Sequence, residues 1–449
     1  MQNLLYTFFV VLGLQLGFSS CSNVNGNNSQ NESASEIPAL LDNPISTGSA
    51  AEWEELLTNY DKAVAALKVN PDDLDQYLIL AQVYITEVRL TGNSEYYNAA
   101  ALSMLDKVLT HKNLDKDNEF LALTMKSGVL LSLHQFADAL TVAEKAYTIS
   151  QHNAQLLGAL VDAHVELGNY KEAVKYCDAM IQLRPDIRSY SRVSYLRQIH
   201  GDLPGAIEAM KMAVEAGLPG AESTEWARVI LGDLLLQTGD VKNAEICFST
   251  ANGLRDNYAY ALAGLGRLEK YKGNYDAAIT YTENAIKLLS DVAFVEQLGN
   301  LYALKGNKDK ATEIRNDILQ LLMKAESASQ KNKTENLHNG SRELAMANLQ
   351  CGNIQQAYAM AKIDVNTRPD NIDANELAAW TAYKAGDYNA SFAYAYKMLQ
   401  TQTKNPYTLY KAAVIYQKAG KKTEADQYKQ MALASNPAVA EEVKASIMH

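Results

Sequence analysis

Residues 166–185 read ELGNYKEAVKYCDAMIQLRP, and the turn Gly168-Asn169-Tyr170 within this stretch recurs along the chain. From His134 onward, equivalent turns are separated by 34, 33, 38, 34, 33, 46, 34 and 34 residues. A period in the thirties is typical of stacked helical repeats, in which each unit packs only against its neighbours. The spacing therefore predicts an all-α solenoid. The turns begin at His134, Gly168, Gly201, Gly239, Gly273, Gly306, Gly352, Gly386 and Gly420.

Small side chains accompany every turn at fixed positions. Five residues after the turn the chain has alanine, as at Ala173, or serine, at Ser391. Seven residues before it the side chain is again small, as at Gly232, with Val161 as the exception. Helices that cross closely need small residues at the crossing point. The pattern thus predicts two antiparallel helices in each unit.

The leucine, glycine, tyrosine, alanine and proline spacing of these units resembles that of the tetratricopeptide repeat. Residues 168–185 and 298–311 are close matches, and the resemblance covers roughly residues 51–449. It implies a right-handed α-α superhelix of about nine to ten helix-turn-helix repeats. It also implies a concave groove lined by the first helix of each unit.

Two longer steps interrupt the period. The Gly/Pro-containing turn at residues 216–221 accounts for the first. The second follows a helix that continues to Met323 and ends in a polar stretch. We therefore expect an N-terminal array at 51–326, a hinge at 327–337, and a C-terminal array at 338–449 that ends in a capping helix.

The N-terminus carries a separate signal. An apolar run from Leu4 to Leu16 is too short to span a bilayer comfortably, and it is followed by Gly17-Phe18-Ser19-Ser20-Cys21. This order resembles a bacterial lipoprotein processing site, which implies a signal peptide at 1–20 and an acylated Cys21. Residues 21–50 are mostly polar and are predicted to form a flexible tether. The resemblance implies anchoring at the outer membrane of the cell envelope; ordinary signal cleavage and an uncleaved anchor are the alternatives.

Composition and motifs argue against several functional classes. The net charge of −11, without a basic run, disfavours nucleic acid as a partner. The chain has no HExxH motif, P-loop, dinucleotide-binding fingerprint or nucleophile elbow. We therefore predict no catalytic residues, no metal, no cofactor and no enzymatic activity.

Arginine and aromatic residues are predicted to line the central groove. Such residues commonly anchor protein ligands, and arginine suits a carboxylate. Alternatively, the arginines pair internally with Asp186, Asp202 or Asp233. A family clamp for C-terminal carboxylates is incomplete, because Thr124, Gly128 and Ala159 occupy three of its positions. The predicted groove residues are Arg188, Arg192, Tyr195, Trp226, Tyr260, Arg267, Lys270 and Tyr271, and a second aromatic patch comprises Trp380, Tyr383, Tyr407 and Tyr410.

The leading functional hypothesis is a lipid-anchored scaffold that binds a protein or peptide in its groove. The alternative is a lipoprotein that captures glycans or other nutrients, for which tryptophan and tyrosine platforms would be suitable. Only three tryptophans occur, all in predicted helices, and no insertion is long enough for a separate binding lobe.

Overall fold

A computed structural model describes residues 37–41, 50–289, 291–331 and 339–434. These residues contain 21 α-helices and no β-strand, which confirms the predicted all-α superhelix. The helices are α1 (Ala50–Val69), α2 (Leu74–Thr91), α3 (Ser94–Leu109), α4 (Lys116–Ser132), α5 (Phe136–Ile149), α6 (Ala154–Glu166), α7 (Tyr170–Leu183), α8 (Ile187–Ile199), α9 (Leu203–Glu215), α10 (Glu222–Thr238), α11 (Val241–Leu254), α12 (Ala259–Tyr271), α13 (Tyr275–Leu288), α14 (Val292–Leu304), α15 (Lys308–Lys331), α16 (Ser341–Gln350), α17 (Ile354–Thr367), α18 (Ile372–Ala385), α19 (Tyr388–Met398), α20 (Pro406–Lys418) and α21 (Lys422–Leu433).

Several predicted features lie outside the described residues. They are the signal peptide, Cys21, most of the tether, most of the 327–337 segment and the final capping helix. These features stay predictions. Within the described residues, however, 327–331 of the predicted hinge continue α15 as a helix, and 37–41 of the predicted tether are hydrogen-bonded to α2 and α3.

Helices α2 to α21 pack as consecutive pairs, each joined by one of the turns or by the 92–93 connection. Glycine at the turn has a left-handed backbone, for example φ +80° at Gly168 and +85° at Gly386. His134 adopts φ 58° at the same point of its unit. A left-handed residue ends the first helix and reverses the chain, which explains why glycine marks the period.

The small residues lie where the two helices of a pair meet. A Cβ atom added to Gly232 would lie 2.6 Å from the ring of Phe248. Where the small residue is serine, its hydroxyl also crosses the pair: Ser194 Oγ donates to the Ala206 carbonyl at 2.7 Å. Ser391 Oγ donates to the Ala379 carbonyl at 2.8 Å. The second helix is thus held close enough to exclude a larger side chain.

The first helices of successive pairs line the inner side of the superhelix. In the described chain α2 contacts α4, α4 contacts α6, and α6 contacts α8, and the series continues through α10 to α12. The second helices make no comparable contacts with one another in the described residues. Such a curvature leaves the first helices on the concave face.

The superhelix also brings distant units together. Arg368, at the end of α17, is buried between two acidic groups: it binds the Asp364 carboxylate at 2.7 and 2.9 Å and Glu166 of α6 at 2.5 Å. Its guanidinium also lies 5.3 Å from the Phe136 ring centroid. The Tyr170 hydroxyl accepts a hydrogen bond from the Ile372 amide at 2.8 Å. The units on either side of the 327–337 segment are therefore in direct contact.

Candidate functional site

The candidate site is the inner surface to which α2, α8, α10 and α12 contribute. Arg89, near the end of α2, forms an ion pair with Glu222 at the start of α10. The Tyr258 hydroxyl, just before α12, donates to the same carboxylate at 3.2 Å. Units distant in sequence therefore face one another across this surface.

Arg192 and Arg267 occupy this surface but are used internally. Arg192 of α8 forms a two-pronged ion pair with Asp162 of α6, at 2.9 and 2.5 Å. Arg267 of α12 binds Asp233 of α10 in the same way, at 2.7 and 2.8 Å. Burial raises the pKa of Asp162 to about 6, although Arg192 opposes this shift. These bidentate pairs join successive first helices. Pairing of Arg267 with Asp233 is one of the alternatives that the sequence analysis left open, whereas Asp162 was not among the partners considered for Arg192.

Most other arginines near this surface are also paired with a carboxylate. The pairs are Arg89 with Glu222, Arg184 with Asp186, Arg228 with Glu225, and Arg255 with Glu52. Arg188 differs from them, because no carboxylate of the described chain lies within ion-pair distance of its guanidinium. Its nearest carboxylate in sequence, Asp186, instead caps the N-terminus of α8 and pairs with Arg184 at 2.9 Å.

The Arg188 side chain is solvent-exposed, although the surrounding protein partly desolvates its guanidinium. Burial lowers the pKa of its guanidinium; Asp186 opposes this shift, whereas the charges of Arg89, Arg192 and Arg184 add to it. An arginine remains charged at neutral pH despite such a shift. Arg188 is therefore a positive charge in a region where positive charges repel it.

The remaining predicted groove residues divide into buried and accessible groups. Tyr195 is 3% exposed and belongs to the largest apolar core, so it packs rather than lining an open groove. Trp226 is half-buried against the same core. Tyr260 is half-buried, with its ring 5.5 Å from Phe294 and 5.6 Å from Tyr258. Lys270 and Tyr271, at the end of α12, are half-buried as well.

The second aromatic patch is mainly part of the core. Trp380 is 7% exposed and Tyr410 is 9% exposed. Tyr383 stacks on Trp380 with the ring centroids 5.3 Å apart, and Lys384 lies over the same indole at 5.2 Å. A buried indole cannot serve as an open platform for a sugar, which weakens the glycan alternative at this position.

Sequence analysis missed Arg89 and Tyr258 as parts of this surface. The curvature of the superhelix brings Arg89 of α2 to Glu222 of α10, whereas Tyr258 reaches the same carboxylate from the neighbouring unit. The described residues include no helix long and apolar enough to cross a membrane. Nor do they include a cluster of three or more histidine, cysteine, aspartate or glutamate residues suited to a metal ion.

Comparison with known proteins supports the repeat assignment. Residues 130–199 match the family described as Tetratricopeptide repeat. No curated protein matches the chain. Similar solved structures include the human IFIT1 dimer with m7Gppp-AAAA (TM-score 0.44, 16% identity, 86% of each chain covered) and the human IFIT1 dimer with PPP-AAAA (0.44, 14%, 86% of this chain and 88% of that chain). The described chain is thus an all-α solenoid of helix pairs, and residues 130–199 within it match the tetratricopeptide repeat family.

Proposed function

We propose that the protein is a non-catalytic binding scaffold whose inner surface holds an anionic segment of a protein partner at Arg188. The observation that carries this proposal is the lone charge of Arg188 among arginines that already have carboxylate partners. A carboxylate from a ligand would complete the same pattern and relieve the repulsion from Arg89, Arg184 and Arg192.

The physical setting favours a preformed site. Arg192 and Arg267 are fixed by bidentate pairs between neighbouring helices, so the wall around Arg188 is ordered before a ligand arrives. Less conformational entropy is then lost on binding. The proposal also includes lipid attachment at Cys21 and a location in the bacterial cell envelope, both of which are inferred from the sequence alone. The exclusion of nucleic acid remains a prediction from charge.

The test is affinity capture from a bacterial envelope extract with residues 37–449, which include all of α1. Arg188→Glu and Arg188→Gln are compared with Arg197→Glu, which makes the same charge change on α8 beside the exposed Asp202. Arg192 is left intact because its removal would leave Asp162 buried without its cation.

The expected result is a defined protein partner that is retained by the wild type and by Arg197→Glu. Its recovery should fall at least tenfold with Arg188→Glu, less with Arg188→Gln, and should decrease with rising salt. A partner held equally by all four proteins would refute Arg188 as the site. If no protein is captured, the scaffold proposal fails and soluble glycans are tested next.

A further inference from the structure

A second binding surface lies at the N-terminal end of the array, on α1, α2 and α3. Four tyrosine side chains converge there: Tyr60, Tyr84, Tyr96 and Tyr97. Their rings form a continuous series, with centroid separations of 6.4 Å between Tyr60 and Tyr84, 6.1 Å between Tyr84 and Tyr97, and 5.2 Å between Tyr96 and Tyr97. We call this surface the tyrosine site.

The segment 37–41 lies on the tyrosine site in a non-helical conformation and is bound there through its backbone. The Pro38 carbonyl accepts hydrogen bonds from the hydroxyls of Tyr84 at 2.5 Å and Tyr60 at 3.1 Å. The Ala39 carbonyl accepts from Tyr96 at 2.7 Å. The Leu41 amide donates to the Tyr97 hydroxyl at 3.0 Å. All four tyrosine hydroxyls of the site are thus used on three consecutive peptide units, those between Pro38 and Leu41.

Two apolar side chains of the same segment complete the contact. Ile37 and Leu40, three positions apart, are half-buried against the core that α1–α4 form. Backbone hydrogen bonds from a tyrosine-lined surface together with spaced apolar anchors are the physical basis of recognition of extended, proline-containing peptides. The contact seen here uses backbone groups and two apolar side chains rather than the full sequence of the segment.

We propose that the tyrosine site is a peptide-binding site and that residues 37–41 occupy it as the chain's own ligand. This site is separate from the surface around Arg188, and the proposal does not depend on the function given above. Because residues 42–49 connect the bound segment directly to α1, its effective concentration at the site is on the order of millimolar. A free peptide of the same sequence must compete with it.

The experiment uses the full chain and a fluorescein-labelled peptide with the sequence of residues 37–41, and it measures binding by anisotropy. Ile37→Ser/Leu40→Ser removes the anchors of the internal segment and should free the site. We expect this variant to bind the peptide at least tenfold more tightly than the wild type does. Adding Tyr84→Phe to this variant should weaken its binding of the peptide about fivefold, because the loss of one hydrogen bond costs about 1 kcal/mol. Adding Tyr176→Phe, a tyrosine of α7 outside the site, should have no effect.

The proposal is overturned if the anchor variant keeps its helical circular dichroism but gains no affinity for the peptide. It is also overturned if Tyr84→Phe and Tyr176→Phe behave alike. Hydrogen exchange of the Leu41 amide gives a test that does not need the anchor variant. Exchange should be slow in the wild type and at least tenfold faster in Tyr97→Phe, and equal rates would contradict the proposal.

Discussion

The buried carboxyl of Glu87 should make the N-terminal unit pH-sensitive. Glu87 lies in α2 with 0% of its surface exposed, and no group of the described residues makes a close hydrogen bond to either of its carboxyl oxygens. Burial raises its pKa from 4.5 to about 7, and the Tyr97 hydroxyl partly opposes the shift. No basic side chain of the described α1, α3 or α4 contributes to this pKa. The neutral acid is therefore the form that the folded unit favours.

The sign follows from proton binding. Because the folded pKa is the higher one, the folded unit holds this proton more tightly than the unfolded chain does. The stabilisation is fully present below pH 4.5 and is lost as the pH rises through about 7. With about 1.4 kcal/mol for each unit of pKa difference, the loss between pH 5 and pH 8 is about 2.5 kcal/mol.

The perturbation is Glu87→Gln, which keeps the shape of the side chain and removes its titration. The assay is urea unfolding at pH 5 and pH 8, followed by the fluorescence of Trp53, which packs beside Leu56 and Leu90 in the N-terminal unit. Replacing Trp226 and Trp380 with phenylalanine in every protein makes Trp53 the only indole reporter.

Between pH 5 and pH 8 the free energy of unfolding of this unit should fall in the parent protein, which keeps Glu87. We expect this fall to be about 2.5 kcal/mol larger than the fall in Glu87→Gln. Glu95→Gln, a change of an exposed glutamate in α3, is the matched control and should behave like the parent protein. If Glu87→Gln and the parent lose stability in parallel, within about 0.5 kcal/mol, the reasoning about Glu87 is wrong.

Two pairs of glycine substitutions test the packing. Gly168 and Gly273 have the same left-handed backbone, so alanine should cost about 1 kcal/mol of stability at Gly273 and more than that at Gly168, where a steric overlap is added. Only at Gly168 would a Cβ meet another segment, the C-terminal array, at 2.2 Å, so only Gly168→Ala should speed hydrogen exchange in α18. Equal effects of the two changes would contradict the close contact between the arrays. Gly232→Ala should destabilise the fold by about 1–3 kcal/mol, because its Cβ would overlap the Phe248 ring. Gly128→Ala should stabilise it by up to about 1 kcal/mol in thermal unfolding, since that position is an open helical site; a loss of stability at Gly128 would refute this distinction.

The helix pairs were predictable because each depends on contacts that are close in sequence. The left-handed turn at Gly168 and the small residue at Ala173 belong to one unit, and both recur with the period.

The candidate site was predictable only in part. Arg188 and Arg192 were both expected in the groove, since their positions follow from the helix phase of α8. Arg192 has a carboxylate partner because Asp162 of the preceding unit lies beside it, and Arg188 is repelled by the charge of Arg89 three units away. A single sequence does not specify such distances.

The sequence by itself determined the repeat, the antiparallel pairs and the side of each helix that faces its neighbour. The tertiary structure alone decided which distant units meet: Arg368 with Glu166, Arg89 with Glu222, and the segment 37–41 with its four tyrosines. The physical reason is accumulation. Each unit is fixed by its nearest neighbours, but small rotations between successive units add up along the solenoid, and their sum sets every long-range contact.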